Sequence, residues 1–296
     1  MTVARIALVT AAAARDLDDD LPPLREAMTA RGLAFDVVDW DDASADWSRY
    51  TIALLRSTWD YSQRLPEFLA WAERAARHTR LVNPLDVVRW NTDKHYLAEL
   101  ERAGVPIVPS AFLEPGSDGA AGVAAFLAAH ADAEFVVKPS VGAGSRDAQR
   151  YGRDERTGAA AHAQRLLDAK RSVLLQPYLA HVDAHGETAL IHFSGEFSHA
   201  IRKGPLLRRG EGPTRALFAA EHITPREPSA AERALAARTL SAMPFPAPLL
   251  YARVDLIHDA GGNPRVLELE LTEPSLFFAQ SPGAAARFAA ALERIL

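Results

Sequence analysis

Carboxylates and cations recur at alternate positions in Tyr251-Ala-Arg-Val-Asp-Leu-Ile257 and again in Arg265-Val-Leu-Glu-Leu-Glu270, with the turn-forming Asp259-Ala-Gly-Gly-Asn-Pro264 between them. Folded as a hairpin symmetric about Gly261 and Gly262, these strands set Asp255 opposite Glu268 and Arg253 opposite Glu270. Side chains alternate across a strand, so all four share one face, with Val254, Leu256, Leu267 and Leu269 on the other. Two opposed carboxylates repel and weaken the pairing unless a cation lies between them. Hard oxygen donors placed this way suit Mg²⁺, which takes one or two protein carboxylates together with water and nucleotide phosphates. The same residues would equally make a solvated face held by an Arg253–Glu270 cross-strand pair.

A second cluster is Phe135-Val-Val-Lys-Pro-Ser-Val-Gly-Ala-Gly-Ser-Arg146. A lysine ending a buried strand, here Lys138, followed by the small-residue loop Gly142, Ala143, Gly144 and Ser145, can bring an ammonium and several backbone N–H groups around phosphate oxygens. The spacing matches neither G-x-G-x-x-G nor G-x-x-x-x-G-K-[ST], so it supports neither a dinucleotide fingerprint nor a P-loop. It would also serve as a plain turn. Lys94 and Lys203 are two further cations, each equally at home on a solvated surface. Leu174-Leu-Gln-Pro-Tyr-Leu179, followed by Asp183 and Glu187, is either a strand end or an apolar pocket wall with backbone groups for an adenine. The ten histidines show no zinc-ligand spacing, and no G-x-S-x-G elbow is present.

These residues need elements to position them. At the start, strand-like 6–10, an amphipathic helix over 21–31, strand-like 35–39 and 52–56 and a helix over 66–78 alternate as in an open α/β sheet. Ligands sit beyond the carboxyl ends of such strands, where Arg56-Ser-Thr-Trp-Asp-Tyr61 falls. This polar and aromatic run is a candidate substrate loop, or an ordinary turn capped by Asp60 or Ser62. A second unit begins near Asn91, with Asn91-Thr-Asp93 as the N-cap of a helix carrying Tyr96, Leu97 and Leu100. Strand 107–112, helix 120–130, strand 135–138, helix 158–167 and strand 173–176 follow. The last stretch alternates at period two through 188–193 and 197–203, then continues with helix 229–240, the charged hairpin and a helix over 284–295.

Composition bounds the partners. In 296 residues, 48% are hydrophobic and the net charge is −5, with Lys and Arg scattered, so a globular protein acting on small molecules is implied rather than one bound to nucleic acid or an anionic membrane. The absence of cysteine excludes disulfides and thiolate chemistry and fits a cytoplasmic location. No run approaches the roughly 20 apolar residues of a membrane span. The apolar N-terminus is too short for a signal sequence and reads as a buried parallel strand.

In order along the chain, Lys94, Lys138-Pro, the 142–145 loop, Gln176-Pro-Tyr-Leu179, Asp183, Lys203, Arg253-x-Asp255 and Glu268-x-Glu270 resemble the ATP-grasp superfamily. More narrowly, Leu55-Arg-Ser-Thr-Trp-Asp-Tyr61, the Gln176–Leu179 stretch with Gly186-Glu-Thr188, and Leu267-Glu-Leu-Glu-Leu-Thr-Glu-Pro-Ser275 are similar to the cyclo-ligases that close O-ureido-D-serine to D-cycloserine. The resemblance implies an α/β (α+β) chain: a pre-grasp domain over 1–90, a lid subdomain over 91–178 and a C-terminal subdomain with the metal site over 179–296. It implies that Lys94 and Lys138 hold the α- and β-phosphates of ATP, that Gly142, Gly144 and Ser145 close over them, and that Gln176, Pro177, Tyr178 and Leu179 bind adenine. Asp183 would take the ribose. Asp255, Glu268 and Glu270 would hold Mg²⁺, as two ions, while Arg253 and Lys203 neutralise the transferring phosphoryl group. At Glu270 the superfamily usually has asparagine, so this third carboxylate serves either a second ion or the substrate. Arg56, Ser57, Thr58, Asp60, Glu273 and Ser275 are the expected substrate contacts, and a homodimer is suggested by the resemblance. Three readings stay open: a cyclising ligase for an amino-acid-like substrate, a ligase joining two molecules, and a nucleotide-binding regulator without turnover.

Overall fold

The computed structural model describes residues 4–210, 212, 222–246 and 248–296. Strands β1 (Arg5–Thr10), β2 (Ala34–Asp39), β3 (Ile52–Ser57) and β4 (Arg80–Val82) form a parallel sheet in the order β2-β1-β3-β4. Parallel strands are covered on both faces, and β1 shows why its sequence is uninterruptedly apolar. Ile6 and Leu8 enter one core with helix α1 (Leu21–Ala30), while Ala7 and Val9 enter another with helix α2 (Leu65–Ala75). Two prolines open α1, where missing N–H groups cost nothing.

After β4 come helices α3 (Leu85–Asn91) and α4 (Tyr96–Arg102). A second sheet of antiparallel strands follows, ordered β5-β8-β6-β7 and made of β5 (Ala111–Leu113), β6 (Glu134–Pro139), β7 (Gln149–Gly152) and β8 (Val173–Pro177). Helices α5 (Gly119–Ala129) and α6 (Arg156–Asp168) cover one face through Val123, Phe126, Ala163 and Leu166. Beyond the short helix α7 (His181–His185) lies a third, antiparallel sheet, β11-β10-β9-β12-β13. Its strands are β9 (Glu187–Phe193), β10 (Glu196–Lys203), β11 (Ile223–Arg226), β12 (Tyr251–His258) and β13 (Pro264–Glu270). Helix α8 (Ala230–Ser241) opens with a capping box between Ser229 and Glu232. The terminal helix α9 (Ala284–Glu293) packs on α1 in the core shared by the first and third sheets.

Two expectations from sequence are corrected here. Asn91 does not cap a helix. It is the last residue of α3, and its side chain donates to Leu269 O at 2.7 Å and accepts from Leu271 N at 2.6 Å. Of the expected trio, Asp93 accepts a following backbone N–H, that of His95, while the Thr92 hydroxyl donates back to Arg89 O. The strand expected over 107–112 is split by Pro109, which has no N–H to donate. Ile107 and Val108 lie along β13, and Val108 N donates to Val266 O at 2.9 Å. The sequence reading also passes over β4, β7, β11 and α3, short elements that depend on their neighbours.

The outer edge of β13 is therefore covered by groups from far upstream: the Asn91 amide, the Tyr96 hydroxyl bonded by Leu269 N, and 106–108. Asn83, 1% exposed, does the same at the next turn, donating to Tyr251 O and Leu271 O at 2.9 and 2.8 Å and accepting from Leu250 N at 3.2 Å. Asn83→Ala strands three buried backbone groups and should lower unfolding stability by about 2–4 kcal/mol, read as a shift in the urea midpoint.

Candidate active site

The hairpin of β12 and β13 pairs Arg253 with Glu270, Val254 with Leu269 and Asp255 with Glu268. The symmetric register ends there: a bulge sets Leu256 against Val266, which leaves Leu267 as the extra residue. Leu267, expected on the apolar face, instead lines the main cavity together with Glu268 and Glu270. The charged face is also not solvated. Arg253 is 5% and Asp255 1% exposed, because β9 flanks β12 and the second sheet and the first unit's loops cover the hairpin.

Burial forces every charge in this face to find a partner. Arg253 grips Asp255 with both arms, Nε to Oδ1 at 2.8 Å and Nη2 to Oδ2 at 2.9 Å, and also bonds Glu270. Lys203 Nζ reaches Asp255 Oδ2 at 2.6 Å and Glu187 Oε1 at 2.5 Å. Lys94 Nζ lies 2.7 Å from Glu268 Oε1 and donates to the Gly142 carbonyl at 2.9 Å, tying the glycine loop to the hairpin. That loop takes left-handed backbone at Gly144 and Ser145, and its Val141 and Ala143 pack against the first unit.

Among the described residues the carboxylates Glu187, Glu268, Glu270 and Glu273 and the cations Lys94, Lys138, Arg146, Lys203 and Arg253 line the cavity, with Asp255 behind Lys203 and Arg253. Burial, with neighbouring acids, pushes Glu270 and Glu187 up to about 8 and Glu273 to about 7. Burial also opposes ionisation of Asp255, yet Arg253 and Lys203 outweigh it and hold that carboxyl below its ordinary range. Burial lowers Lys138 to about 8, whereas at Lys94 the pull of Glu268 exceeds it and the ammonium is raised. Carboxyl groups that burial keeps protonated would release their protons beside a divalent cation, and Glu268 and Glu270 both border the cavity. Among the described residues no three acidic or histidine side chains are already gathered as a metal cage. Asp255 reaches a metal only by giving up a bond to Lys203 or Arg253.

One cavity brings together Lys94, Lys138, Gly142, Gly144, Ser145, Gln176, Pro177, Tyr178, Leu179, Lys203, Arg253, Glu268, Glu270, Glu273 and Ser275. The strand ladder orders its floor, with Ile257 and Leu267 first, then Glu268, then Arg253 and Glu270, and Glu273 beyond, while Asp255 is buried behind the lining. Val136, Leu179 and Val182 join the apolar end. At the hinge, Tyr178 N donates to Glu134 O and Leu179 O accepts from Val182 N, so those two backbone groups are committed within the protein. Asp183 is not among the lining residues; its side chain is 46% exposed and accepts from the Tyr178 hydroxyl at 2.5 Å.

The substrate loop is corrected most. Arg56, Ser57 and Thr58 are all 0% exposed and do not border the cavity, because the strand that carries Arg56 and Ser57 is covered on both faces. Arg56 lies 3.5 Å from both Asp18 and Asp20. Asp60 accepts from Trp40 Nε1 at 2.9 Å and likewise stays outside the lining. Trp59 and Tyr61 take their place at the cavity, joined by Phe277, which sequence reasoning missed, and by Glu187, which it noted beside the hinge without a role. Trp59 and Tyr61 stand on a 3-10 turn over Trp59–Gln63, where strand alternation does not apply, so their aromatic character within the quoted motif was the available signal.

Comparison with known proteins agrees with this geometry. A family model described as the N-terminal domain of D-cycloserine synthetase DcsG matches residues 6–83. The cycloserine biosynthesis protein DcsG of Streptomyces lavendulae is 45% identical over 292 residues, 97% of each chain. The crystal structure of D-cycloserine synthetase DcsG superposes with a TM-score of 0.93 at 44% identity, covering 99% of this chain and 100% of that one. More distantly, the ATP complex of D-alanine–D-alanine ligase from Bacillus anthracis gives 0.67 at 15% identity over 100% and 96% of the two chains. The ligase PsnB with precursor, Mg and ADP gives 0.63 at 19% over 98% and 97%.

The pKa shifts make a sign-definite prediction for the ligand-free protein. Glu270 binds its proton more tightly folded, about 8, than unfolded, near 4.5, so the folded state holds more protons between these values. Stability must fall as pH rises through that window. The melting temperature should therefore drop from pH 6 to pH 9, and Glu270→Gln should flatten the slope; an unchanged slope in the variant would place the titration elsewhere.

Proposed function

We propose a specific reaction from the premise that this chain belongs to the DcsG family of ATP-grasp ligases. It is an ADP-forming carbon–nitrogen ligase that uses ATP and Mg²⁺. The substrate in our reading is O-ureido-D-serine: its oxygen-bound nitrogen closes on the activated carboxyl with loss of phosphate and a proton, and hydrolysis of the carbamoyl group to carbon dioxide and ammonia leaves the cyclic product. The observation that carries the reading is the convergence of the buried cations Lys94, Lys203 and Arg253, the half-buried Lys138 and the Glu268–Glu270 pair on one cavity, bordered by the aromatic and acidic group Trp59, Tyr61, Glu273 and Phe277.

A carboxylate oxygen is a poor leaving group. Its attack on the γ-phosphorus of ATP releases ADP and gives an acyl phosphate, which a nitrogen then displaces with loss of phosphate. In our assignment Lys94 and Lys138 hold the α- and β-phosphates, with the backbone of Gly142, Gly144 and Ser145 closing over them. Val136, Gln176, Pro177, Tyr178, Leu179 and Leu267 enclose the adenine, and Asp183 takes the ribose. Arg253 and Lys203 face the charge that develops on the transferring group, pre-set by their grip on Asp255, so little reorganisation is needed during reaction. Glu268 and Glu270, with Asp255 beneath, would hold magnesium as two ions, which supply further neutralisation of phosphate charge when bound. Burial of Lys203 and Arg253 in a water-poor site strengthens each of these interactions.

Cyclisation needs the substrate folded with its own nitrogen near the activated carbonyl, so the site must hold one compact molecule. Tyr61 hydrogen-bonds Glu273, and Trp59 Nε1 donates to the Glu273 carbonyl at 3.1 Å, giving that acid a fixed place for recognising a substrate ammonium or N–H. We also read the protein as a cytoplasmic homodimer. Among the described residues no helix is long and apolar enough to cross a membrane.

ADP release and product mass should be measured with Mg²⁺ and ATP against O-ureido-D-serine, its L form and amino acids singly and in pairs. Cyclic product from O-ureido-D-serine alone is expected; product only from a pair would replace cyclisation by an intermolecular ligation. Glu268→Gln should cut turnover by about a hundredfold or more, and full activity in that variant would sink its assignment to the metal. Trp59→Ala should raise KM for the amino-acid substrate about tenfold while leaving KM for ATP nearly unchanged.

A further inference from the structure

The segment after β13 is suspended from the first sheet's loops almost residue by residue. The Glu273 carbonyl accepts from Trp59 Nε1, the Pro274 carbonyl from Arg56 Nη1 at 3.4 Å, and the Ser275 carbonyl from Arg253 Nη1 at 3.0 Å. Next, three consecutive N–H groups converge on one side chain. Leu276 N and Phe277 N donate to Asp20 Oδ2 at 2.5 and 3.0 Å, and Phe278 N donates to Asp20 Oδ1 at 2.7 Å. Successive N–H groups that turn inward this way form an anion-binding concavity, and here its anion is a carboxylate from more than 250 residues upstream. Phe277 takes a left-handed backbone that non-glycine residues avoid, so the segment needs this anchor to hold its course. Asp20 is 4% exposed, and its charge is matched by Arg56, which is 0% exposed.

The suspended segment carries Glu273, Ser275 and Phe277 to the cavity and hands one hydrogen bond to Arg253. Its hydrogen bonds run to Trp59, Arg56, Arg253 and Asp20 rather than to the glycine loop or the hinge, and its one effect on Lys94 is the field of the Glu273 carboxyl. We infer that Asp20 is a positioning residue of the ligase: its carboxylate sets the substrate wall formed by residues 273–277 and leaves the nucleotide end of the site alone. Arg56 completes the device by neutralising Asp20 and holding the Pro274 carbonyl. This assignment rests on the reading that the 273–277 wall faces the carboxylate substrate.

Asp18 supplies an internal control. It stands at the same 3.5 Å from Arg56 and is equally buried, but it accepts from Asp20 N rather than from the 276–278 amides. Asp20→Asn and Asp18→Asn therefore remove the same charge from the same arginine, and only the first puts an NH₂ against a loop N–H. In steady-state kinetics with O-ureido-D-serine, Asp20→Asn should lower kcat/KM for that substrate ten- to a hundredfold, with KM for ATP within threefold of wild type. Asp18→Asn should lose less than a third as much. Equal losses in the two variants, a parallel loss of ATP affinity, or an undisturbed Asp20→Asn enzyme would overturn the inference. Wild-type protein run alongside separates it from the choice of reaction. If wild type makes no product, hydrogen exchange of the Leu276, Phe277 and Phe278 amides decides: Asp20→Asn must accelerate it and Asp18→Asn must not, or the clamp is wrong too.

Discussion

Asp255 holds the site together because it is buried and cannot be left unpaired. Its two oxygens are shared among the guanidinium of Arg253 and the ammonium of Lys203, and each of those cations then meets a further carboxylate, Glu270 or Glu187. A buried charge missing one partner is costly, whereas a network of complementary groups fixes geometry sharply. The consequence is a pair of cations held at fixed positions before any phosphate arrives. Their fixed placement is what a phosphoryl-transfer site requires, since positioning and charge stabilisation carry most of that chemistry.

The network in turn depends on β13 staying in register as an edge strand. Its outer hydrogen-bonding groups are satisfied by the side chains of Asn91 and Tyr96 and by the backbone at 106–108, while Asn83 holds the strand ends beside it. These groups come from the connection between the first and second sheets, so folding of the early chain and placement of the late carboxylates are one event. An edge strand left open would slip or pair with another chain. Here a slip would move Glu268 and Glu270 off the cavity.

Lys94 shows how the parts are joined across the cavity. It stands between α3 and α4, bonds the glycine-loop carbonyl of Gly142 and pairs with Glu268 on the third sheet. In the function we propose, a phosphate entering the site would compete for that ammonium and so link loop, hairpin and nucleotide through a single side chain. The loop's contact with the first unit through Val141 and Ala143 brings the substrate side into the same assembly.

Much was legible in the sequence alone. Alternation along two strands was enough to put Arg253, Asp255, Glu268 and Glu270 on one face, because side-chain period is a local property; the expected pairing of Asp255 with Glu268 holds because a bulge offsets a turn centred on Gly261. The apolar run of β1 announced a strand covered on both faces for the same reason. What lay beyond reach was whatever depended on the neighbours of an element. The bulge at Leu256 that turns Leu267 into the cavity, the burial of Arg56 against Asp18 and Asp20, and the work of Asn91 on β13 are all decided by contacts with residues distant in sequence. A polar side chain at a strand end looks the same in sequence whether it meets a ligand or an internal partner. Only the packing of the three sheets determines which of them faces the open space, and so it fell to tertiary structure to choose Trp59 and Tyr61 over Arg56 and Asp60.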